Sequence, residues 1–255
     1  MVETKPLADI DLLLKTAMLR RCEISDETFA QTGGTVALGP FAGMRLLRNN
    51  SWVGDGDIAP KLLGFYECEL MGEVERIAQS SYDSIINIGC AEGFYAIGLA
   101  TLMQSATVWA FDIDVQAQTI CREAATLNGV AERVEVGGLC EPAILSKLLH
   151  KADKPYVVMD IEGAEKDLLC PERVPELGKT DFLVECHDFM DDTITPTLRA
   201  RFAETHDLQL IHQGARNPNS IEGLHALNEV DRWLLVCEFR PVTMHWILGR
   251  AKQPA

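Results

Sequence analysis

The sequence lacks any excess of positive charge. It has 23 Lys and Arg residues against 38 Asp and Glu residues, which gives a formal net charge of −15 at pH 7. No basic cluster stands against that average. A protein with this charge repels phosphate backbones. The composition therefore disfavours a nucleic-acid partner.

The sequence also lacks the patterns of exported and membrane-bound proteins. Its eight cysteines are scattered and form no C-x-x-C pair, which disfavours zinc sites and disulfides and is typical of core thiols in a reducing cytosol. No apolar run approaches the ~18 residues that are needed to span a bilayer. Asp9 and Asp11 interrupt the apolar stretch near the N-terminus, so it does not resemble a signal peptide. We therefore expect a cytoplasmic protein without a membrane partner.

The most informative stretch, residues 84–128, predicts a strand, a turn of small residues, a helix, a second strand and a second helix. The first strand is an apolar run that ends at Ile88 and is suited to a buried parallel strand. Small residues in the turn from Gly89 to Gly93 let the backbone turn sharply and let a ligand approach the main chain. Asp112 ends the second strand about 20 residues after the turn, where a carboxylate accepts hydrogen bonds from ribose hydroxyls. The stretch therefore predicts a nucleotide-type cofactor site.

The spacing of small residues in this turn separates two classes of cofactor. A dinucleotide site has the pattern G-x-G-x-x-G. Here Gly89, Ala91 and Gly93 form G-x-A-x-G, and Phe94 stands where the last glycine would be. The pattern resembles the E/D-x-G-x-G-x-G motif of class I S-adenosylmethionine (SAM) methyltransferases, with Asn87 in the acidic position. The resemblance implies SAM as the cofactor, and the spacing disfavours NAD.

This resemblance also implies a fold and a set of cofactor contacts. The implied fold is of the α/β class: the Rossmann-like three-layer sandwich of class I methyltransferases. Its seven-stranded, mostly parallel sheet is expected to end in an antiparallel hairpin. The residues implied to bind the cofactor follow the first three strands or end them: Asn87, Gly89, Cys90, Gly93, Asp112, Ile113, Gly138 and Leu139. Among them, Gly89, Cys90 and Gly93 are implied to shape the pocket and Asp112 to hold the ribose.

A second motif follows the predicted fourth strand, residues 155–159. It reads D-I-E-G-A-E from Asp160 to Glu165, at the end of a strand where open α/β sheets bind ligands. The motif resembles the D-x-E-G-x-E signature of FkbM-type methyltransferases, a SAM-dependent family that includes O-methyltransferases, and the resemblance covers about residues 85–185. We therefore expect Asp160 and Glu162 where the methyl group meets its acceptor. The acceptor is expected to be a hydroxyl or an amine on a small molecule.

His187 follows the predicted fifth strand and is the best candidate for a general base, because its pKa suits proton removal near neutral pH. Asp160, Glu162 and His187 are therefore the expected catalytic residues. Together with Glu185 they also offer the oxygen and nitrogen ligands that Mg²⁺, Mn²⁺ or a similar divalent ion binds. The sequence leaves open whether a metal is used.

The flanking segments carry no motif of a named subfamily. They predict a helix over residues 7–21, a single helix over residues 60–79 with Pro60 in its first turn, and two final strands over residues 208–212 and 232–239. We expect an N-terminal helical and hairpin appendage, residues 1–79, that packs on a methyltransferase domain, residues 80–255. The sequence does not fix the oligomeric state, and a homodimer is compatible with it.

Two other functional classes stay open. A NAD-type oxidoreductase would use the same strand–turn–helix unit despite the early Gly93. A non-catalytic SAM-binding protein would keep the cofactor turn and would not need Asp160, Glu162 or His187. Binding of SAM without NAD excludes the first class, and loss of activity on substitution of these three residues excludes the second.

Overall fold

A computed structural model describes residues 7–48 and 57–252. Contacts within the chain form two compact units, which we call the helical unit (residues 1–68 and 215–239) and the sheet unit (residues 69–214 and 240–255). The predicted division into domains at residue 79 stays a prediction, since units defined by contacts need not fold alone. The contacts do group residues 69–79 with the sheet and residues 215–239 with the N-terminal residues.

The sheet unit is built on seven strands. In chain order they are β1 (Ser84–Ile88), β2 (Thr107–Phe111), β3 (Val134–Gly137), β4 (Pro155–Met159), β5 (Asp181–Cys186), β6 (His206–His212) and β7 (His245–Ala251). Their order in the sheet is β3-β2-β1-β4-β5-β7-β6. Strands β1 to β5 pair in parallel, whereas β7 pairs antiparallel with β5 and β6. The predicted seven-stranded, mostly parallel sheet with a terminal antiparallel hairpin is confirmed.

Helices of the sheet unit cover both faces of this sheet. In chain order the helices of the chain are α1 (Leu7–Thr32), α2 (Ile58–Leu62), α3 (Met71–Ala78), α4 (Phe94–Leu102), α5 (Val115–Leu127), α6 (Pro142–Lys151), α7 (Glu165–Leu168), α8 (Ile194–Phe202) and α9 (Glu229–Val236). The crossovers through α4 and α7 lead in opposite directions from the centre of the sheet, and right-handed crossovers then place these helices on opposite faces. Across residues 7–48 and 57–252, no helix is long and apolar enough to cross a membrane.

The core on one face of the sheet joins alternate strand residues to two helices. Ile86 of β1 belongs to a buried cluster with Leu145 of α6 and Leu198 of α8. Because side chains alternate along a strand, Ile85 and Asn87 point to the opposite face. Asn87, one residue before the end of β1, is therefore buried on that face. Its side-chain amide needs a hydrogen-bond partner there.

The strand order reverses between β1 and β4, which are parallel neighbours. The Asp160 N–H donates to the Ile88 carbonyl at 2.9 Å. Gly89 has a φ of 77°, and a Cβ on it would lie 1.5 Å from the Asp160 carbonyl oxygen. Only glycine fits here without a shift of the backbone. The two predicted motifs therefore meet at the carboxyl ends of β1 and β4.

The prediction of one helix over residues 60–79 is wrong. Helix α2 ends at Leu62, and Gly64 then adopts a φ of 72°, where a Cβ would lie 2.7 Å from the Leu38 carbonyl oxygen. A left-handed glycine after the last helical turn is a common helix stop. A short 3₁₀ turn, Cys68–Leu70, separates it from α3. The periodicity of this stretch continues across the break, which is why it predicted one helix.

The predicted strand over residues 232–239 is also wrong, because these residues belong mostly to α9. The Asn228 side chain caps this helix by accepting a hydrogen bond from the Asp231 N–H at 3.0 Å. Asp231 and Leu235, four residues apart, are buried on one side of it, whereas Trp233 is exposed. The strand that completes the sheet is β7. In the appendage predicted for residues 1–79, the hairpin is reduced to an isolated antiparallel bridge between Thr35 and Arg45, flanked by backbone hydrogen bonds from Val36 to Met44 (2.8 Å) and from Leu46 to Gly34 (2.7 Å).

Candidate active site

The backbone of the turn after β1 is tied to the end of β2. The N–H groups of Gly89 and Cys90 donate to the Phe111 carbonyl at 2.8 and 2.9 Å. The Ala91 N–H donates to Oδ2 of Asp112 at 2.8 Å. Ala91 has a φ of 45°, a conformation that favours glycine and costs energy in other residues. The Asp112 carboxylate thus stabilises the strained centre of the turn.

The Asp112 carboxylate makes a second hydrogen bond, within the loop that follows β2. Its Oδ1 accepts a hydrogen bond from the Asp114 N–H at 2.9 Å. Each carboxylate oxygen has a further lone pair, so these contacts leave acceptor capacity for ribose hydroxyls. The sequence did not predict this structural role of Asp112, and its ribose role stays a prediction.

Two other predicted cofactor residues shape the interior of the turn. Cys90 is buried, and its carbonyl accepts a hydrogen bond from the Gly93 N–H at 2.7 Å. Gly93 has a φ of 93°, and a Cβ on it would lie 2.8 Å from Sγ of Cys121 in α5. A glycine is therefore required at the start of α4 both by the backbone and by the close approach of α5.

Asn87 places a polar atom under this turn. The residue is buried, and its Oδ1 makes no hydrogen bond to the described part of the chain. A buried acceptor without a partner costs about 1–3 kcal/mol. The orphaned oxygen is therefore a candidate contact for the hydrogen-bond donor of a ligand, in the position where the motif has its acidic residue.

Exposed apolar side chains follow the two neighbouring strands. Ile113 comes after β2 and Leu139 after β3, and both are exposed. Since β2 and β3 are parallel, these residues lie at the same edge of the sheet. Gly138 precedes Leu139 and is also exposed, near the Gln118 amide that donates to the Asp112 carbonyl at 2.9 Å. The predicted cofactor residues therefore lie at the ends of β1, β2 and β3, and their binding role stays a prediction.

The three predicted catalytic residues come together at the ends of β4 and β5. His187 is buried just after β5. Its Nε2 atom lies 3.5 Å from Oδ1 of Asp160 and 3.3 Å from Oε2 of Glu162. The carboxylates of Asp160 and Glu162 are more exposed than the imidazole. One imidazole nitrogen thus faces the acidic side of an accessible site.

The sequence analysis missed the partner of the other imidazole nitrogen. Nδ1 of His187 lies 2.6 Å from Oε1 of Glu165, a fully buried carboxylate that also accepts the Gly163 N–H at 3.0 Å. The available signal was the motif itself, because Glu165 is the last residue of D-I-E-G-A-E. The turn from Asp160 to Glu165 is strained, since Glu162 has a φ of 54°. Strain of this kind is common at functional sites.

The surroundings of His187 shift its protonation. Burial by itself lowers the pKa of the imidazole, but the hydrogen bond to Glu165 and the negative charges of Asp160 and Glu162 outweigh burial and raise the pKa above its usual value. With Nδ1–H donated to Glu165, the atom that gains or loses a proton near neutral pH is Nε2. This geometry lets Nε2 accept a proton from a group bound near Asp160.

A fourth carboxylate lies next to this cluster. Glu185 at the end of β5 is buried and accepts a hydrogen bond from Nη1 of Arg240 at 2.7 Å. One ligand atom each from Asp160, Glu185 and His187 lies within 4.8 Å of the others. The donor set is oxygen and nitrogen, which suits a hard or borderline divalent ion. The arrangement can therefore hold a cation or move a proton.

Comparison with known families gives one match, to the model of the ribosomal protein L11 methyltransferase family (PrmA), over residues 71–161. The match spans about a third of the chain and contains the turn after β1, Asp112 and Asp160. It supports a class I SAM-dependent methyltransferase fold for this stretch.

Among curated proteins none matches this sequence. Two solved structures are similar in fold: an O-methyltransferase from Bacillus cereus in complex with SAH (15% identity, covering 74% of this chain and 80% of that chain, TM-score 0.49) and an rRNA methylase from Streptococcus thermophilus (13% identity, covering 72% and 97%, TM-score 0.49). A putative O-methyltransferase from Klebsiella pneumoniae is 12% identical and covers 91% of this chain and 90% of its own, with a TM-score of 0.47. Likenesses of this size do not identify a substrate.

Proposed function

We propose that this chain is a SAM-dependent O-methyltransferase of the FkbM type that acts on a hydroxyl group of a small molecule, with an amine as the alternative acceptor. The observation that carries the proposal is the imidazole of His187, fixed by Glu165 on one side and facing Asp160 and Glu162 on the other. It lies at the edge of the sheet where the turn after β1 meets β4. We place the enzyme in the cytoplasm, without nucleic-acid or membrane partners.

The residues at the ends of β1 to β3 fit SAM. The orphaned Oδ1 of Asn87 is an acceptor suited to the ammonium of the methionine part. Asp112 keeps lone pairs for the ribose hydroxyls, and the exposed side chains of Ile113 and Leu139 offer apolar contacts to the adenine faces. Bound SAM supplies an electrophilic methyl carbon and its own leaving group.

The chain then has two tasks, to align the acceptor and to take its proton. In this proposal Asp160 and Glu162 hold the acceptor beside His187 by accepting hydrogen bonds from donors other than the reacting hydroxyl. The neutral imidazole accepts the hydroxyl proton at Nε2, and the resulting cation lies between Glu165, Asp160 and Glu162, which stabilise its charge. A hydroxyl needs this step, because its proton is not lost at neutral pH without a base.

A second use of the same cluster is favoured by one observation, the close set of Asp160, Glu185 and His187 ligand atoms. In metal sites, a histidine ligand usually donates its other N–H to a carboxylate, as His187 does to Glu165. In this alternative Asp160, Glu185 and His187 would hold a divalent ion, which would supply Lewis-acid activation of the acceptor oxygen, and His187 would be a ligand and not the base.

Two measurements separate these functions. Calorimetric titration with SAM, S-adenosylhomocysteine and NAD is expected to show micromolar binding of the two sulfur nucleosides and none of NAD. Tight NAD binding, or no binding of the three, contradicts the cofactor assignment. Unchanged acceptor turnover in His187→Ala and Asp160→Ala variants contradicts the catalytic assignment of these residues. SAM binding by a wild type that turns over none of the acceptors tested leaves a SAM-binding protein.

The role of metal is tested by Mn²⁺ titration followed by electron paramagnetic resonance on chelator-treated protein. In the metal-assisted alternative, Mn²⁺ binds the wild type, and Asp160→Asn weakens it by at least about tenfold. Asp114→Asn is the matched control, since Asp114 lies near the turn and outside the cluster. Turnover that persists in excess chelator favours His187 as the base.

A further inference from the structure

Helix α1 carries an apolar stripe on one face of its first half. Ile10, Leu13, Leu14 and Ala17 recur at i, i+3, i+4 and i+7 and share a face of the helix. The same face continues through Arg21, Ile24 and Thr28 in the second half of the helix, since these positions follow the same spacing.

The two halves of this face differ in burial. In the second half it is packed within the helical unit, where α1 contacts α2 and α9 and Ile24 is 1% exposed. In the first half it is uncovered, and Leu13 is 69% exposed, with Ile10 and Leu14 also exposed. This face thus extends beyond the surface that covers it.

The first half of α1 lacks packing against the other described residues. Residues 9–16 are exposed around the whole circumference of α1, whereas in proteins most helical stability comes from tertiary packing of an amphipathic face. Contiguous exposed apolar side chains of this kind mark interaction sites. The first half of α1 therefore needs a partner surface that is apolar along one stripe.

We infer that the partner is a second copy of this chain, whose α1 packs antiparallel against the first half of this α1. The charges along the helix support this occupant. Asp9 and Asp11 lie in its first turns, and Lys15 follows. An antiparallel mate centred near Leu14 places the acidic first turns beside Lys15 of the other copy.

The alternatives fit less well. A parallel pair would place Asp9 against Asp9 and Lys15 against Lys15, which is repulsive. An anionic membrane surface is disfavoured by the net charge of −15. The antiparallel pair is an isologous contact that closes at two copies. Although the whole chain is acidic, the charges of two antiparallel copies of α1 thus complement each other.

Sedimentation velocity tests the proposal on the full chain. The wild type is expected to dimerise, and Leu13→Asp is expected to weaken the dimer by at least about tenfold, or 1.4 kcal/mol. Leu12→Asp is the matched control, because Leu12 is 65% exposed on the opposite face of α1. It should leave the dimer intact, and circular dichroism should show both variants folded.

A wild type that stays monomeric at concentrations well above micromolar overturns the proposal. Equal effects of Leu13→Asp and Leu12→Asp overturn it as well, and so does a monomer that binds to neutral phosphatidylcholine vesicles through Leu13.

The orientation is tested by oxidative cross-linking, with the wild type as the background for its own cysteines. Leu14→Cys, near the two-fold axis, is expected to form an intermolecular disulfide. Ile10→Cys is expected not to, since antiparallel helices separate the two copies of this residue. Cross-linking of Ile10→Cys as efficient as that of Leu14→Cys contradicts the antiparallel arrangement.

Discussion

Glu165 and His187 form a buried pair in which Oε1 of the carboxylate lies 2.6 Å from Nδ1 of the imidazole. Glu165 begins the short helix α7, and His187 follows β5, so the pair links the two loops at the edge of the site. The hydrogen bond fixes both the tautomer and the direction of the ring. It therefore decides that Nε2 is the atom presented to Asp160 and Glu162.

We predict that Glu165→Gln lowers the pKa of His187. The change removes a negative charge and replaces a charge-assisted hydrogen bond with a neutral one, while burial, which lowers the pKa, stays. The pKa is measured by NMR titration of the imidazole in chelator-treated protein. Turnover is expected to fall about 10- to 100-fold, as is typical when a carboxylate that orients a histidine is removed.

Glu162→Gln is the matched control, because Glu162 affects His187 through charge and is exposed. Its effect on the imidazole pKa should have the same sign and a smaller size. A Glu165→Gln variant that leaves the pKa of His187 unchanged shows that the hydrogen bond in the structure does not govern the imidazole.

The central part of the fold was predictable because its signals are local. The run of β1, the small residues from Gly89 to Gly93 and the acidic end of β2 each follow from periodicity, backbone freedom and chemistry within a few residues. The motif at Asp160 and the histidine at the end of β5 were placed by the rule that parallel strands end at one edge. Their approach in space is a consequence of strand order.

The errors lie where tertiary context decides between local alternatives. Residues 233–237 are a short apolar run that suits a strand as well as a helix, yet the cap at Asn228 and the burial of Leu235 select a helix. The break at Gly64 depends on its contact with Leu38, which is distant in sequence. Glu165 was missed as the partner of His187 because 22 residues separate them.

We predict that Gly89→Ala destabilises the protein and abolishes cofactor binding. Its Cβ would lie 1.5 Å from the Asp160 carbonyl oxygen, so β1 or β4 must shift. The expected loss in the free energy of unfolding is more than about 3 kcal/mol. Gly129→Ala is the control, with a φ of 67° and no atom within 4 Å of the added carbon. It should cost only about 1–2 kcal/mol in urea denaturation and leave SAM affinity unchanged. Equal losses in the two variants contradict a close contact of the turn with β4.

We predict that Asp112→Ala weakens SAM binding at least about tenfold, or 1.4 kcal/mol. The change removes the acceptor of the Ala91 N–H and the carboxylate assigned to the ribose. Asp114→Ala is the control, because it removes only the cap of α5, the hydrogen bond from the Gln116 N–H. The control should lose about 1 kcal/mol of stability and keep its SAM affinity. Calorimetric affinity of Asp112→Ala within twofold of the wild type shows that the ribose assignment is wrong.

His206 gives a prediction of stability against pH that is independent of the active site. Burial lowers the pKa of its imidazole below the usual value, and Nε2 donates to the Thr180 carbonyl at 3.0 Å. As the pH falls below about 6.5, His206 binds a proton in the unfolded chain but stays neutral in the folded chain. This group therefore contributes full stability above that pH and loses it on acidification, by up to about 1.4 kcal/mol per pH unit until the folded pKa is reached.

His187 has the opposite sign. Its raised pKa makes the folded state bind its proton first, so its contribution is full below about pH 6.5 and is lost as the pH rises through the folded value. The two effects are separated by variants. The free energy of unfolding is measured in urea at pH 7.5 and at pH 5.5. Its decrease on acidification should be smaller in His206→Gln than in the wild type. An identical pH dependence in both proteins means that His206 is protonated as easily in the folded chain as in the unfolded one.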